Sequence, residues 1–144
     1  MQLNRHEDSP WQDWRPGVKT RVWSSASQGA NSLHMGEQIC QPGTGAPYHW
    51  HYYEEHITIF SGTAEVKIDG KTAIVEGPAT VIVPPRLHHG FTNVGEGELR
   101  IIGATSWPIL EAGMVDDPDG VLVRGWEPGY GYRRRRMVEE GKPR

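Results

Sequence analysis

Residues 43–62 read GTGAPYHWHYYEEHITIFSG, and the fold turns on how this stretch is extended. In a β-strand, side chains two residues apart leave the same face. His49, His51 and Glu55 hold odd positions, so an extended chain aims two imidazoles and a carboxylate to one side. Glu54 and His56 compete for the same roles, but their even numbers turn them away unless a bulge intervenes. Trp50, between the two histidines, is expected to point outward and to pack against a second sheet or another subunit rather than touch substrate.

Downstream, PPRLHHGFTN at 84–93 adds His88 and His89. A barrel brings such a segment beside the first one as a neighbouring antiparallel strand, and one of the two imidazoles can join the same interior face. By parity His89, Phe91 and Asn93 share that face, while His88 points to the outside or to a subunit interface.

The rest of the chain is punctuated as an all-β domain. AEVKIDGKTAIVE at 64–76 carries Asp69-Gly70 between two alternating β-branched segments, the signature of a two-residue type I′ hairpin turn. Further strands are expected at 18–23, 33–40, 55–61, 80–83, 89–93 and 99–104, and one more at 120–126, with a turn-rich stretch at 41–47. No long amphipathic helix and no repeat is visible. Residues 1–16 contain Trp11 and Trp14 without strand or helix periodicity, so they are read as an arm lying on something. Residues 127–144 are read as a tail, with a short helix near 134–140.

With 144 residues the chain suits one domain, and its 18 glycines and 11 prolines agree with many tight turns. A net charge of −3 gives no field that would draw nucleic acid or anionic lipid, so the expected partner is a small molecule. The four arginines at 133–136 are followed by Glu139 and Glu140 and are read as a solvated tail. Cys40, the lone cysteine, excludes an intrachain disulfide framework and a cysteine-built metal cluster, and is read as a small buried hydrophobe. The polar start MQLNRHEDSPWQDW and the lack of a membrane-length apolar run lead to the expectation of a cytoplasmic protein.

Gly43, His49, His51, Glu55 and Gly62 match Gly-x5-His-x-His-x3-Glu-x6-Gly, the first motif of the cupin superfamily, at every position. The second motif, Gly-x5-Pro-x-Gly-x2-His-x3-Asn, is matched by Pro84, His89 and Asn93, with Gly77 one residue too far upstream and Arg86 where the motif has glycine. The chain thus resembles a cupin over residues 33–104. The resemblance implies a double-stranded β-helix, or jelly-roll barrel, spanning 17–126, with His49, His51, Glu55 and His89 as four ligands of one metal. Imidazole with carboxylate suits Fe, Mn, Ni, Cu or Zn rather than calcium or magnesium.

Function is expected to follow from that ion. The first expectation is a small oxidoreductase, dioxygenase-like, acting on an aromatic or enolic substrate. The alternatives are a non-redox isomerase, lyase or decarboxylase, and a cupin that binds a small molecule without turnover. Glu55 is the candidate catalytic residue, able to take a substrate proton as well as to ligate. Tyr53, Phe91, Gln38 and His34 are candidate pocket residues, with Arg100 a further side chain able to reach it. Single-barrel cupins resembling this one are usually homodimers, and a subunit-exchanged arm would bury Trp11 and Trp14.

Overall fold

A computed structural model describes residues 1–124 of the chain. Among the described residues twelve strands, all paired antiparallel, form two six-stranded sheets. The first sheet takes β1 (Gln12–Arg15), β2 (Val18–Ser24), β3 (His34–Cys40), β10 (Leu99–Thr105), β5 (Glu55–Ser61) and β8 (Ala79–Val83), in that order. The second takes β12 (Asp117–Arg124), β11 (Leu110–Met114), β4 (Gly45–Trp50), β9 (His89–Asn93), β6 (Thr63–Ile68) and β7 (Lys71–Glu76). Two single-turn 3₁₀ segments, His6–Asp8 and Ala26–Gln28, complete the description. No helix among the described residues is long and apolar enough to cross a membrane.

Alternation makes the core. Val18 on β2, Ile57 and Ile59 on β5, Ala64 and Val66 on β6, Phe91 on β9 and Leu99 and Ile101 on β10 all turn inward and pack as one cluster. Each of these side chains apart from Ala64 contributes about 1.5–3 kcal/mol by leaving water. Cys40 sits in the same cluster, fully buried, as a small apolar filler. The hairpin forms as expected: Ile68 faces Lys71, and Asp69 and Gly70 take φ of 47° and 78°, the two positive angles a type I′ turn requires.

Three elements differ from the sequence expectation. Gln12–Arg15, inside the presumed irregular arm, is the edge strand β1, paired to β2 of the same chain. The turn-rich stretch at 41–47 gives way to β4 at Gly45, whose carbon approaches the Phe91 backbone too closely for any side chain: a Cβ there would lie 2.0 Å from the Phe91 oxygen. Residues 110–114, which are not among the strands expected from the sequence, form β11. The expected strand at 120–126 is present as β12 from Asp117 to Arg124. Its last two expected residues, the tail at 127–144, the helix near 134–140 and the arginine run lie outside the described residues.

Candidate metal centre

The first motif folds as a strand end and a short connection. His49 is near the end of β4 and stands opposite His89 at the start of β9, while His51 follows β4 and Glu55 opens β5. Donor atoms of His49, His51, Glu55 and His89 all lie within 4.8 Å of one another. The competitors fall outside: His56 pairs with Glu54 at 2.9 Å on the exposed face, and exposed His88 meets the Tyr48 ring edge-on. The structure thus brings the four odd-numbered candidates together and leaves Glu54, His56 and His88 outside the cluster.

The hydrogen bonds fix which imidazole nitrogens point inward. Nδ1 of His49 lies 2.6 Å from the Pro47 carbonyl, that of His51 2.6 Å from the Glu111 carbonyl, and that of His89 2.8 Å from the Leu87 carbonyl. A carbonyl only accepts, so all three rings carry a proton on Nδ1, an assignment made from the partners. Yet Nε2 of His51 and of His89 lie 3.1 and 2.7 Å from the same Glu55 oxygen, Oε2. Lone pairs facing a carboxylate repel unless both rings are cationic. Enclosure opposes that: it lowers the pKa of His51 against the pull of Glu55, and it brings His49 down to about 3, helped by His51 and His89. Burial pushes the Glu55 carboxyl upward, but His51 and His89 prevail and hold it well below the usual range. Three imidazole nitrogens and an ionised carboxylate are thus turned on one point. A cation there removes the repulsion, and the donor set fits a transition metal.

Behind the ligands lies Tyr53, a candidate pocket residue that the structure places elsewhere. Its ring stacks on His51 at 5.0 Å and 11°, its hydroxyl accepts the Glu111 N–H at 2.6 Å, and its proton faces the Ile109 and Glu111 carbonyls. The adjacent cavity, roughly 220 Å³, is lined by His34, Gln38 and Phe91 as expected for pocket residues, but not by Tyr53. Arg100 turns to the outer face and pairs with Glu37 at 3.1 Å. Trp50 lies across Gly113 and packs with Tyr52, Trp107 and Ile109. Trp14, Arg15 and Thr20, together with Leu110, Ala112 and Met114 of β11, also line the cavity and were not read from sequence as pocket residues. Alternation at 110, 112 and 114 was a usable signal for the last three. For Trp14 and Arg15 there was none, because consecutive residues in one wall break strand parity.

The cupin domain family model matches residues 36–105, which hold all four ligand candidates. The chain is a member of the cupin superfamily. Among curated proteins it is 36% identical over 89 residues to "Polyketide synthase CurC" of Streptomyces cyaneus, a match covering 61% of this cupin and 58% of that protein. The match therefore spans under two thirds of the relative's length. Among solved structures, the polyketide cyclase RemF from Streptomyces resistomycificus superposes with a TM-score of 0.63 at 20% identity, covering 73% of this cupin and 78% of that chain. An oxalate decarboxylase from Lactobacillus farciminis gives 0.69 at 19%, covering 77% of this cupin and 35% of that chain. At such identities the structures speak for the fold alone.

Proposed function

We propose that this cupin is a metal-dependent enzyme acting on a small aromatic or enolic substrate of polyketide type. The observation that carries the reading is the set of three Nδ1–H to carbonyl bonds, which leaves three Nε2 atoms and the Glu55 carboxylate converging beside a largely apolar cavity. His49, His51, Glu55 and His89 would hold one ion of Fe, Mn, Ni, Cu or Zn. A divalent ion bound there would supply Lewis acidity toward an enolate or carbonyl oxygen, or a redox centre for dioxygen. The protein's own part is to fix the four donors, to exclude water with the Ile57, Phe91 and Ile101 wall, and to offer the Glu55 carboxylate as proton acceptor.

Oxygenase-like chemistry is the first form of this reading. A non-redox ring closure or lyase step is the second, favoured by the polyketide name of the curated relative. Metal analysis of chelator-free protein is expected to find about one equivalent of a transition metal, lost in His51→Ala. Oxygen consumption with an aromatic polyketide-type substrate then assigns the first form; turnover without it assigns the second. Absence of metal after reconstitution overturns both. The substrate site is taken to work in a homodimer, supported by Phe60 and Ile82, more than half exposed on β5 and β8; a monomer by light scattering contradicts that part.

A further inference from the structure

The cavity has a second polar region, built by the N-terminal strand and remote from the metal ligands. Pairing of β1 with β2 slips between Asp13 and Arg15: Asp13 stands opposite Lys19, but Arg15 stands opposite Val18. Trp14 is the extra residue of this bulge. Without it Arg15 would follow Asp13 outward; with it, Arg15 joins inward-facing Val18 and Thr20, and both Trp14 and Arg15 line the cavity. The Arg15 Nε–H donates to the Gly45 carbonyl of the facing sheet, which ties the arm across the opening. Among the described residues no carboxylate forms an ion pair with this half-buried guanidinium.

Two more polar groups stand near it. Thr20 and Gln38 are register partners across β2 and β3, both line the cavity, and both Thr20 Oγ1 and Gln38 Oε1 are buried without a hydrogen-bond partner. Buried polar atoms in native proteins are nearly always paired, so two orphans on one wall beside an uncompensated cation call for a ligand. Their position sets the ligand's length. Glu55, Thr105 and His34 form one row across the first sheet, and Gln38 lies four residues further along β3, about 13 Å at 3.3 Å per residue. The wall between is Ile57, Ile101, Phe91 and the bare backbone of Gly36 and Gly103.

We infer that Arg15, with the Thr20 hydroxyl and the Gln38 amide turned to present its N–H, is a carboxylate-binding subsite, so that the substrate is an elongated flat acid whose carboxylate sits on the arm side while its other end reaches the metal ligands. The inference rests on the reading of the site as one for a small aromatic substrate. A guanidinium binds a planar carboxylate through two parallel N–H donors, and Thr20 supplies a further hydroxyl. The apolar middle wall accepts fused rings and offers nothing to a charge.

The test uses zinc-loaded full-length protein and three probes: 6-hydroxy-2-naphthoate, its methyl ester and 2-naphthol, with affinities read by tryptophan fluorescence and calorimetry. The acid is expected to bind at least about tenfold more tightly than the ester. Arg15→Gln is expected to abolish that preference while ester affinity and the single equivalent of zinc persist, and Arg15→Lys to restore part of it. Equal binding of acid and ester, or a preference that survives in Arg15→Gln because the carboxylate goes to the metal, overturns the subsite. Failure of ester and naphthol to bind at all overturns the aromatic-substrate reading, and the subsite with it. Thr20→Val, with unchanged charge, provides a second variant whose expected effect is a several-fold loss for the acid alone.

Discussion

Arg86 has a φ of 70°, a left-handed conformation that costs a non-glycine residue about 1–2 kcal/mol. It occupies the position where the second cupin motif has glycine, and its N–H donates to the His51 carbonyl at 2.6 Å, so the turn keeps the glycine geometry with another residue. Arg86→Gly relieves the strain but adds about 0.5–1 kcal/mol of unfolded-state entropy and loses the guanidinium over the Tyr52 ring. Arg86→Val keeps the strain and sharpens it. The expected order of Tm is Gly at or above Arg, with Val lowest; a valine variant as stable as the parent would refute a left-handed turn here. Tyr53 acts through others: Tyr53→Phe leaves the stacking on His51 but removes three contacts to Ile109 and Glu111, the latter being the residue whose carbonyl orients His51. Zinc affinity by competition with a chelator is expected to fall about tenfold, with little change in fold by circular dichroism. The clustering of the four ligand candidates was legible because parity is a local property. Tyr53 shares their odd parity, and as an aromatic residue beside them in sequence it is a pocket candidate. The chain leaves β4 after Trp50 and re-enters a strand at Glu55, so strand parity does not govern residue 53.

At the scale of elements, legibility followed β-branched alternation. β5 and β9 begin and end where the pattern said, and the β6–β7 hairpin has the turn that Asp-Gly demands. Gly70 offers a clean test, since a Cβ there would meet nothing within 4 Å and only the backbone resists it. Gly70→Ala is expected to cost about 1–2 kcal/mol, measured by urea unfolding, with zinc stoichiometry untouched; a neutral result would refute the type I′ turn. β1 and β11 went unread for different reasons. Leu110, Ala112 and Met114 do alternate, but Gly113 and the Asp-rich run beyond it spoke for a loop, and only pairing with β4 and β12 makes the segment a strand. β1 is short and bulged, so its periodicity is broken at the point where Trp14 and Arg15 turn into the cavity. A bulge depends on the partner strand, and no local pattern records it.

Across the whole molecule the buried titratable groups set a window of stability, and its two limits have separate causes. In the metal-free chain His49 titrates near 3 instead of the ordinary 6.5, so between those values the unfolded chain binds a proton that the folded one refuses. Stability must then fall as pH drops below about 6.5. His51, also lowered, has the same sign, and Glu55, held well below its ordinary 4.5, adds to the loss in stronger acid. Cys40 works at the other limit. Burial raises its thiol from 9.0 to about 11, with Arg15 offsetting part of the rise, so above pH 9 the unfolded chain sheds a proton that the folded one keeps. Stability declines there as pH rises. A plateau from about pH 6.5 to 9 is the expected profile of urea midpoints. Zinc loading should raise the plateau and steepen the acid limb alone, because the ion binds only deprotonated ligands of the folded state. Cys40→Ala should flatten the profile between pH 9 and 10, below the range where Tyr53, raised well above 10 by burial and the Glu55 charge, begins to contribute. An acid limb insensitive to zinc would separate the buried imidazoles from the metal centre, and an alkaline limb unchanged in Cys40→Ala would assign it to a group other than the core thiol.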